Sequence, residues 1–236
     1  MKHKKELYKN FKVTDFKPEE IVLIESSLIA TKALFDLTEQ QKSSVKMKPS
    51  YNRGWDRTQP FNIEKNRAYR ESFVFGLDRE TSDLKNIWPK ELEKNHINTL
   101  MKFLRFSINR CIDWYRENAK NLELELCLDV FKYNIYKSDL RIKLAAYFPN
   151  KKAAFPQTGC FEHEDFGFLT MNFSNKRSDL YVYLKGEWVR SKKEDIASLW
   201  SGNQITQYSA TFLPTQHKII LNDNNTRYSL SLFIEI

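Results

Sequence analysis

Three side chains in the C-terminal half of the chain are of the types that bind transition metals. His163 and Asp165 lie two residues apart in a segment, residues 160–170, whose pattern predicts a β-strand. Side chains alternate between the two faces of a strand, so residues two apart point the same way and can reach one ion. His217 begins a second strand-like run over residues 217–221. Two imidazoles and one carboxylate with open positions are a ligand set typical of non-haem Fe(II).

A possible carboxylate anchor follows this metal-ligand set. Arg227 comes ten residues after His217, and Ser229 lies two residues further along the terminal strand-like run, on the same face. An arginine grips a carboxylate through two parallel hydrogen bonds, and a serine hydroxyl adds another donor. The sequence therefore predicts a metal site with a carboxylate-binding pair beside it.

The histidine pattern needs this support, because a short His-x-Asp motif recurs by chance. A histidine near apolar residues is more often an ordinary core or surface group than a ligand. The chain has only four histidines, however, and two of them lie in strand-like segments of the same half. We therefore favour the metal site.

Helical patterns dominate the N-terminal half. Apolar residues at helical spacing predict a helix over residues 19–47. The polar run 48–69, broken by prolines and a glycine, predicts a long loop. Within it, Arg53 and Trp55 belong either to a turn with an anchoring tryptophan, which we favour, or to a substrate-contacting loop. A second, stronger helix is predicted after Pro89, with a continuous apolar stripe for core packing.

The second half changes to a period of two. A weaker helical pattern over residues 122–136 precedes the alternating run 140–144. Residues 180–189 have the pattern of a hairpin, and the final run, 227–236, alternates apolar and polar side chains. Helices first and strands second predict an α+β fold with a mainly β core, a β-sandwich or jelly roll backed by helices.

Length predicts one domain. A chain of 236 residues suits a single β-rich domain. We expect residues 1–138 to form a helical cover with loops and residues 139–236 to form the β core that carries the metal site.

Composition limits the cellular setting. The chain has no run of about 18 apolar residues, so no membrane span is expected. The charged start has no apolar segment behind it, so no signal peptide is expected. Three widely spaced cysteines, Cys111, Cys127 and Cys160, follow no metal-ligand pattern. They predict buried free thiols and a cytoplasmic protein.

The net charge of +8 and the pI of about 9.2 bear on the partner. Lysines are interleaved with acids, as in residues 90–94, whereas nucleic-acid binding calls for blocks of one sign. Nucleic acid is therefore disfavoured as a partner. A preference for a small, anionic ligand is the simpler use of the charge.

With these residues in place, the sequence resembles the isopenicillin-N-synthase-like group of Fe(II)/2-oxoglutarate-dependent oxygenases. The resemblance spans roughly residues 20–236 and is specific in the β half. It is carried by the run from His163 to Thr170, the Gly186-Glu187-Trp188-Val189 hairpin, His217, Arg227-Tyr228-Ser229 and, upstream, Ile87-Trp88-Pro89.

The resemblance implies a double-stranded β-helix, jelly-roll-like, with the N-terminal helices packed on it. It implies Fe(II) held by His163, Asp165 and His217, and 2-oxoglutarate held by Arg227 and Ser229. With dioxygen, such an enzyme oxidises a small molecule and releases succinate and CO2. Hydroxylation is favoured over desaturation and oxidative cyclisation. The predicted substrate contacts are Arg53, Trp55 and Arg70.

One departure from the family pattern concerns a cosubstrate contact. Phe148 stands before Pro149 where many members have a tyrosine, which predicts that one phenol is missing. Three alternatives to the main hypothesis stay open. One is an isopenicillin-N-synthase-like oxidase without 2-oxoglutarate, in which Arg227 holds the substrate. The second is a non-catalytic binding protein on the same fold. The third is an oxygenase of nucleic acids or nucleotides.

Overall fold

Two antiparallel sheets with helices on one side form the described part of the chain. The computed structural model describes residues 11–13, 15–48, 52–58, 66–78, 85–120, 128–137, 140–192, 195–209 and 213–236. The helices are α1 (Pro18–Asp36), α2 (Glu39–Ser43), α3 (Lys94–Asn118) and α4 (Leu128–Lys137). The strands of the first half are β1 (Phe11–Val13), β2 (Gly54–Thr58) and β3 (Tyr69–Gly76). Those of the second half are β4 (Arg141–Phe148), β5 (Gln157–His163), β6 (Leu169–Ser174), β7 (Leu180–Leu184), β8 (Glu187–Arg190), β9 (Ala197–Ser201), β10 (His217–Leu221) and β11 (Arg227–Ile234).

The two sheets divide the strands unequally. The larger sheet has the order β1-β9-β6-β11-β4-β3-β2, and the smaller one has the order β5-β10-β7-β8. All the strand pairs within them are antiparallel. The helices α1 and α3 pack against each other and against β11 at the centre of the larger sheet. The predicted architecture of helices backing antiparallel strands is confirmed.

The alternating pattern of the terminal strand, β11, places one of its faces in the core and the other along a cavity. The apolar residues of β11, from Tyr228 to Ile234 at every second position, join the core between the helices and the larger sheet. The intervening residues face a cavity and are Arg227, Ser229, Ser231 and Phe233. A smaller apolar cluster, with Val182 and Ile219, lies on the cavity side of this sheet.

The first predicted helix is two helices. The proline at the start of α1 and the following Glu19 and Glu20 give the expected N-terminus. Thr38 then starts α2, because its hydroxyl accepts from the Gln41 backbone N–H while the Gln41 side chain accepts from the Thr38 backbone N–H. The predicted single helix over 19–47 is therefore wrong, and this capping box is the reason.

The predicted division at residue 138 also needs a correction. Strands β2 and β3 lie in the N-terminal part, and β3 pairs with β4 along its whole length. The prediction of a loop over 48–69 is wrong for residues 54–58, which form β2; parts of that range, 49–51 and 59–65, lie outside the described residues. The helix after Pro89 is α3, and the weaker helical pattern matches α4, while residues 122–127 lie outside the description.

Candidate metal centre

The smaller sheet brings both predicted histidines together. His163 at the end of β5 and His217 at the start of β10 are register partners. Asp165 lies two residues past the end of β5, and its Oδ1 is 3.8 Å from the Nε2 atom of each histidine. One ligand atom from each of the three residues falls within 4.8 Å of the others. The three residues thus form a compact N,N,O set at the edge of the sheet.

Backbone carbonyls orient both imidazoles. The Nδ1 atom of His163 is 2.8 Å from the Phe161 carbonyl oxygen, and that of His217 is 3.1 Å from the Thr215 carbonyl oxygen. A carbonyl only accepts, so each Nδ1 carries the hydrogen in this arrangement. When a ring is neutral, its Nε2 is then left as a lone-pair donor facing Asp165. Such contacts are how proteins fix the tautomer of a metal-binding histidine.

The carboxylate is held from the larger sheet. Thr170 on β6 donates its hydroxyl to Asp165 Oδ2 at 2.6 Å, and Trp200 on β9 donates its indole N–H to the same oxygen at 2.6 Å. Oδ1 is thereby left for an ion. A Cβ on Gly202 would lie 2.1 Å from the Gly167 carbonyl oxygen and 2.8 Å from that of Asp165, so only glycine fits this close approach.

The two histidines differ in their electrostatics. Burial lowers the pKa of His217 to about 4, so this ring is neutral at physiological pH. Hydrogen bonding to the Cys160 thiol, followed by smaller contributions, raises the pKa of His163 to about 9. The metal-free protein therefore holds one neutral and one protonated imidazole, and His163 must lose its proton when it binds an ion.

A β-bulge explains why Cys160 lies beside His163. His217 and Ile219 are two positions apart on β10, whereas their partners on β5, His163 and Cys160, are three positions apart. The extra residue lets Cys160 and His163, three positions apart, both line the same cavity, with Sγ and Nδ1 3.8 Å apart. Cys160 is a free thiol as predicted, but it is only half-buried and lines the cavity, so the prediction of a buried thiol is wrong for it. Cys111 is a fully buried free thiol, and Cys127 lies outside the described residues.

The triad opens into a cavity of about 310 Å³ between the sheets. Arg227 lies in its wall and is 1% exposed. Its Nε donates to the Lys176 carbonyl oxygen at 3.3 Å, and its guanidinium carbon is 5.4 Å from the centre of the Tyr147 ring. Among the described residues, neither Nη1 nor Nη2 has a hydrogen-bond acceptor. A buried guanidinium with two unpaired nitrogens calls for an anionic ligand.

The structure separates the predicted site residues into two groups. The triad, Arg227, Ser229 and Arg70 all line this cavity. Arg53 and Trp55 do not belong to its lining, and the Trp55 indole donates to Glu71 at 2.9 Å on the other side of the sheet. The interpretation of Trp55 as an anchoring residue agrees with this placement.

Sequence reasoning missed several contributors to the cavity. Lys143, Ala145 and Tyr147 follow one face of β4, and Tyr147 is the register partner of both Arg70 and Arg227. Phe148 carries no phenol at the position before Pro149, but the neighbouring Tyr147 brings one into the cavity lining. The alternation of β4 was the available signal. Thr170 and Trp200 carried no such signal, since only tertiary structure brings them to Asp165.

The residues present fit Fe(II) and 2-oxoglutarate. Two imidazole nitrogens and one carboxylate oxygen make a three-ligand set with room for further ligands. The unpaired Nη atoms of Arg227, with the Ser229 hydroxyl beside them, suit the far carboxylate of a dicarboxylic acid.

Comparisons with known proteins agree with a site for Fe(II) and 2-oxoglutarate. Residues 140–236 match the model of the 2OG-Fe(II) oxygenase superfamily. No curated protein matches the sequence.

Solved structures share the fold over nearly the whole chain. A full-length Neurospora crassa protein in complex with alpha-KG superimposes with a TM-score of 0.78 at 22% identity, covering 95% of this chain and 74% of that one. The same Neurospora protein with alpha-KG and thymine gives 0.75 at 20% identity, with the same coverage. The 2-oxoglutarate complex of the dioxygenase for auxin oxidation 1 from Arabidopsis thaliana gives 0.70 at 14% identity, covering 91% and 79%.

The family match covers the β half of the chain, which carries the candidate metal ligands and Arg227. The predicted double-stranded β-helix is confirmed, and the resemblance to the isopenicillin-N-synthase-like group agrees with it. The domain match over residues 140–236 and the N,N,O ligand set together indicate an oxygenase of the Fe(II)- and 2-oxoglutarate-dependent kind. Each helix among the described residues is too short or too polar to cross a bilayer.

Proposed function

We propose that this chain is a dioxygenase that hydroxylates a small organic molecule, with His163, Asp165 and His217 as iron ligands and Arg227 with Ser229 as the cosubstrate anchor. One observation carries the proposal. The three ligand atoms lie within 4.8 Å of one another and open into the same cavity as the two unpaired Arg227 nitrogens. A metal site and a carboxylate site in one enclosed space are what a 2-oxoglutarate enzyme needs.

The chain's own residues have separate tasks in this proposal. The two histidines present Nε2 to the ion, and the Phe161 and Thr215 carbonyls keep their rings from turning. Thr170 and Trp200 fix Asp165 so that only Oδ1 faces the ion. Fe(II) and 2-oxoglutarate, once bound, supply with dioxygen the oxidising power, and 2-oxoglutarate leaves as succinate and CO2.

The anchor sets the direction in which the cosubstrate lies. Arg227 and Tyr147 form one cross-strand pair, and Ser229 follows on the same face of β11. A guanidinium fork and a hydroxyl hold a carboxylate in one orientation, which leaves its other end directed along the cavity wall. Burial of Arg227 at 1% exposure excludes water from that contact and strengthens it.

A small substrate is supported by the size of the cavity, about 310 Å³. The Neurospora protein with thymine bound is consistent with a substrate of that scale. Hydroxylation is the simplest outcome for an oxidised C–H bond in such a site. We also place the enzyme in the cytoplasm, because Fe(II) and the free thiols of Cys111 and Cys160 suit a reducing compartment.

The decisive experiment is an anaerobic titration of the Fe(II)-loaded protein with 2-oxoglutarate, followed by the visible charge-transfer band of the chelate. We expect the band in the wild-type protein and its loss in Arg227→Met, which keeps side-chain bulk but removes the charge. Arg116→Met is the matched control, because Arg116 lies on an exposed stretch of α3.

Other outcomes would replace the proposal with one of the alternatives. Bound iron without a band indicates an oxidase that does not use 2-oxoglutarate, with Arg227 holding the substrate itself. Failure of the protein to bind Fe(II) under anaerobic conditions indicates a binding protein on the same fold. His163→Ala with unchanged iron binding would show that the triad is not the metal site.

A further inference from the structure

The charged residues around the cavity do not balance once its ligands are bound. The lining contains three cationic side chains, Arg70, Lys143 and Arg227, against the single carboxylate of Asp165. Fe(II) adds two positive charges and 2-oxoglutarate adds two negative ones. Two positive charges therefore remain in the loaded site, or one if the Cys160 thiol is ionised. Asp56 and Asp179 lie outside this lining and act on Lys143 and Arg227 only through space. An excess of positive charge in the lining itself favours a further anion there.

Lys143 is the residue best placed to receive that anion. Its side chain lines the cavity, and burial, followed by the charge of Arg70, lowers its pKa. Among the described residues no carboxylate lies within ion-pairing distance of it. The carboxylates of Asp165 and Asp56 act on Lys143 only through space, without a direct ion pair. An anionic ligand in contact with the ammonium group would therefore stabilise it.

Two polar side chains stand in the same cross-strand row. Lys143 on β4 is the register partner of Ser231 on β11, and Ser231 is the partner of Asn172 on β6. All three line the cavity. The Asn172 amide donates to the Ser231 hydroxyl oxygen at 2.7 Å, which leaves the hydroxyl hydrogen of Ser231 to donate elsewhere. An ammonium and a hydroxyl in one row can both donate to a carboxylate.

This row is distinct from the cosubstrate anchor. Lys143 and Tyr147, the partner of Arg227, are four residues apart on β4, which places their rows about 13 Å apart. One carboxylate cannot contact both. A second cavity of about 280 Å³ adjoins the first, and the two share Lys143 and Phe233. Its lining combines the apolar side chains of Met47, Val74 and the exposed Phe166 with the charged Asp56, Arg141 and Glu235. The shared wall offers space for the rest of a substrate molecule.

We propose that the substrate is an organic acid whose carboxylate binds Lys143 and Ser231, while its remaining part extends toward Phe233 and the adjoining cavity. This inference rests on the proposed function, since it assumes that Arg227 is occupied by 2-oxoglutarate. A carboxylate from another source, the keto-acid end of 2-oxoglutarate itself, has the same chemistry, and the experiment must separate the two.

The test uses the anaerobic protein loaded with Fe(II) and 2-oxoglutarate. The probes are aliphatic and aromatic monocarboxylic acids, including hexanoate and phenylacetate, each measured beside its primary amide by calorimetry. We expect acids to bind at least tenfold more tightly than their amides. Lys143→Met should remove this preference and leave 2-oxoglutarate affinity within twofold of the wild type. Lys143→Arg should retain the preference, as should Lys102→Met, which changes an exposed lysine on α3.

Two results would overturn the inference. If no acid binds more tightly than its amide, the cavity does not select anions. If Lys143→Met weakens 2-oxoglutarate binding as much as Arg227→Met does, the carboxylate at Lys143 belongs to the cosubstrate. Loading with Fe(II) and 2-oxoglutarate is measured first on every variant. A failure of the proposed function is therefore seen at that stage, before any acid is added.

Discussion

Two buried cations in this protein, Lys42 and Arg227, differ in whether the chain itself supplies their hydrogen-bond acceptors. Lys42 on α2 donates to the Phe35 carbonyl oxygen at 2.9 Å and to Glu71 Oε2 at 2.7 Å. Glu71 is further held by the Trp55 indole at 2.9 Å and the Tyr69 hydroxyl at 3.0 Å. Arg227, equally buried, has two guanidinium nitrogens without an acceptor among the described residues.

The difference separates a structural charge pair from a binding site. Every donor and acceptor around Lys42 and Glu71 is satisfied by the chain itself, and the pair fixes α2 to β3. The Nη1 and Nη2 atoms of Arg227 have no acceptor among the described residues, so they are available to a ligand. Burial of charge alone therefore does not identify a functional residue, whereas unpaired donors in a cavity do.

The largest effect should follow from breaking the satisfied pair. Lys42→Met leaves the Glu71 carboxylate buried without its counter-ion, so we expect the free energy of unfolding to fall by about 3–5 kcal/mol. Fe(II) affinity should not change, because the pair lies outside the metal cavity. Urea denaturation measures the first quantity, and Lys46→Met, at an exposed position in the same segment, is the control. A loss below about 1 kcal/mol, the scale of an exposed ion pair, would contradict the structural role.

Removing the charge of Arg227 should weaken ligand binding and leave the stability unchanged, the reverse of the effect expected for Lys42. Arg227→Met should weaken 2-oxoglutarate binding by about 2–4 kcal/mol, roughly 30- to 1,000-fold. The ligand-free protein should be no less stable than the wild type, since the substitution removes two unpaired buried donors. Calorimetry and urea denaturation on the same preparations give both values. A marked loss of stability without a loss of affinity would make Arg227 a structural residue like Lys42.

A smaller effect is expected at the contacts that hold the metal ligand. Trp200→Phe removes the indole donor to Asp165 Oδ2 but keeps the aromatic packing against His217, whose ring centre lies 4.5 Å away. We expect about 10- to 100-fold weaker Fe(II) binding, measured by competition with a chelator. Trp188→Phe, on the β7–β8 hairpin, should leave the affinity unchanged. Equal losses in both variants would show that tryptophan packing, and not the hydrogen bond, is responsible.

The smallest effect should come from the hydroxyl beside the arginine. Ser229→Ala removes one neutral hydrogen-bond donor from the cosubstrate anchor, so 2-oxoglutarate affinity should fall by about 0.5–1.5 kcal/mol, or roughly 2- to 12-fold. Ser43→Ala, at an exposed position, serves as the control. A loss as large as that of Arg227→Met would mean that the serine, and not the guanidinium, dominates the contact.

The sequence was sufficient wherever one segment carried its own pattern. The alternation of β11 predicted both its core residues and the cavity-facing Arg227 and Ser229, because the period of a strand is local. The break between α1 and α2 also had a local signal, the Thr38-x-x-Gln41 capping box, although the prediction of a single helix over 19–47 overlooked it. Strands β2 and β3 were not predicted, because the pairing of β2 with β3 and of β3 with β4 lies in tertiary structure.

The residues of the candidate site likewise include some that the local sequence pattern predicts and others that only tertiary structure brings in. The candidate ligands His163 and Asp165 were visible from their spacing, but the donors Thr170 and Trp200 come from the other sheet. Cys160 was misjudged for a related reason, since the register of β5 against β10 decides which face it occupies. Residue types could be predicted along a strand, whereas contacts between strands could not.

The bulge in β5 also constrains how this protein can change over evolutionary time. Phe161 and Glu162 are exposed, so many side chains would be tolerated at both positions. The number of residues between Cys160 and His163 is constrained, however, because removing or adding one would turn His163 to the opposite face of the strand. Substitutions at these two positions should therefore accumulate during evolution, whereas selection should remove insertions and deletions between Cys160 and His163.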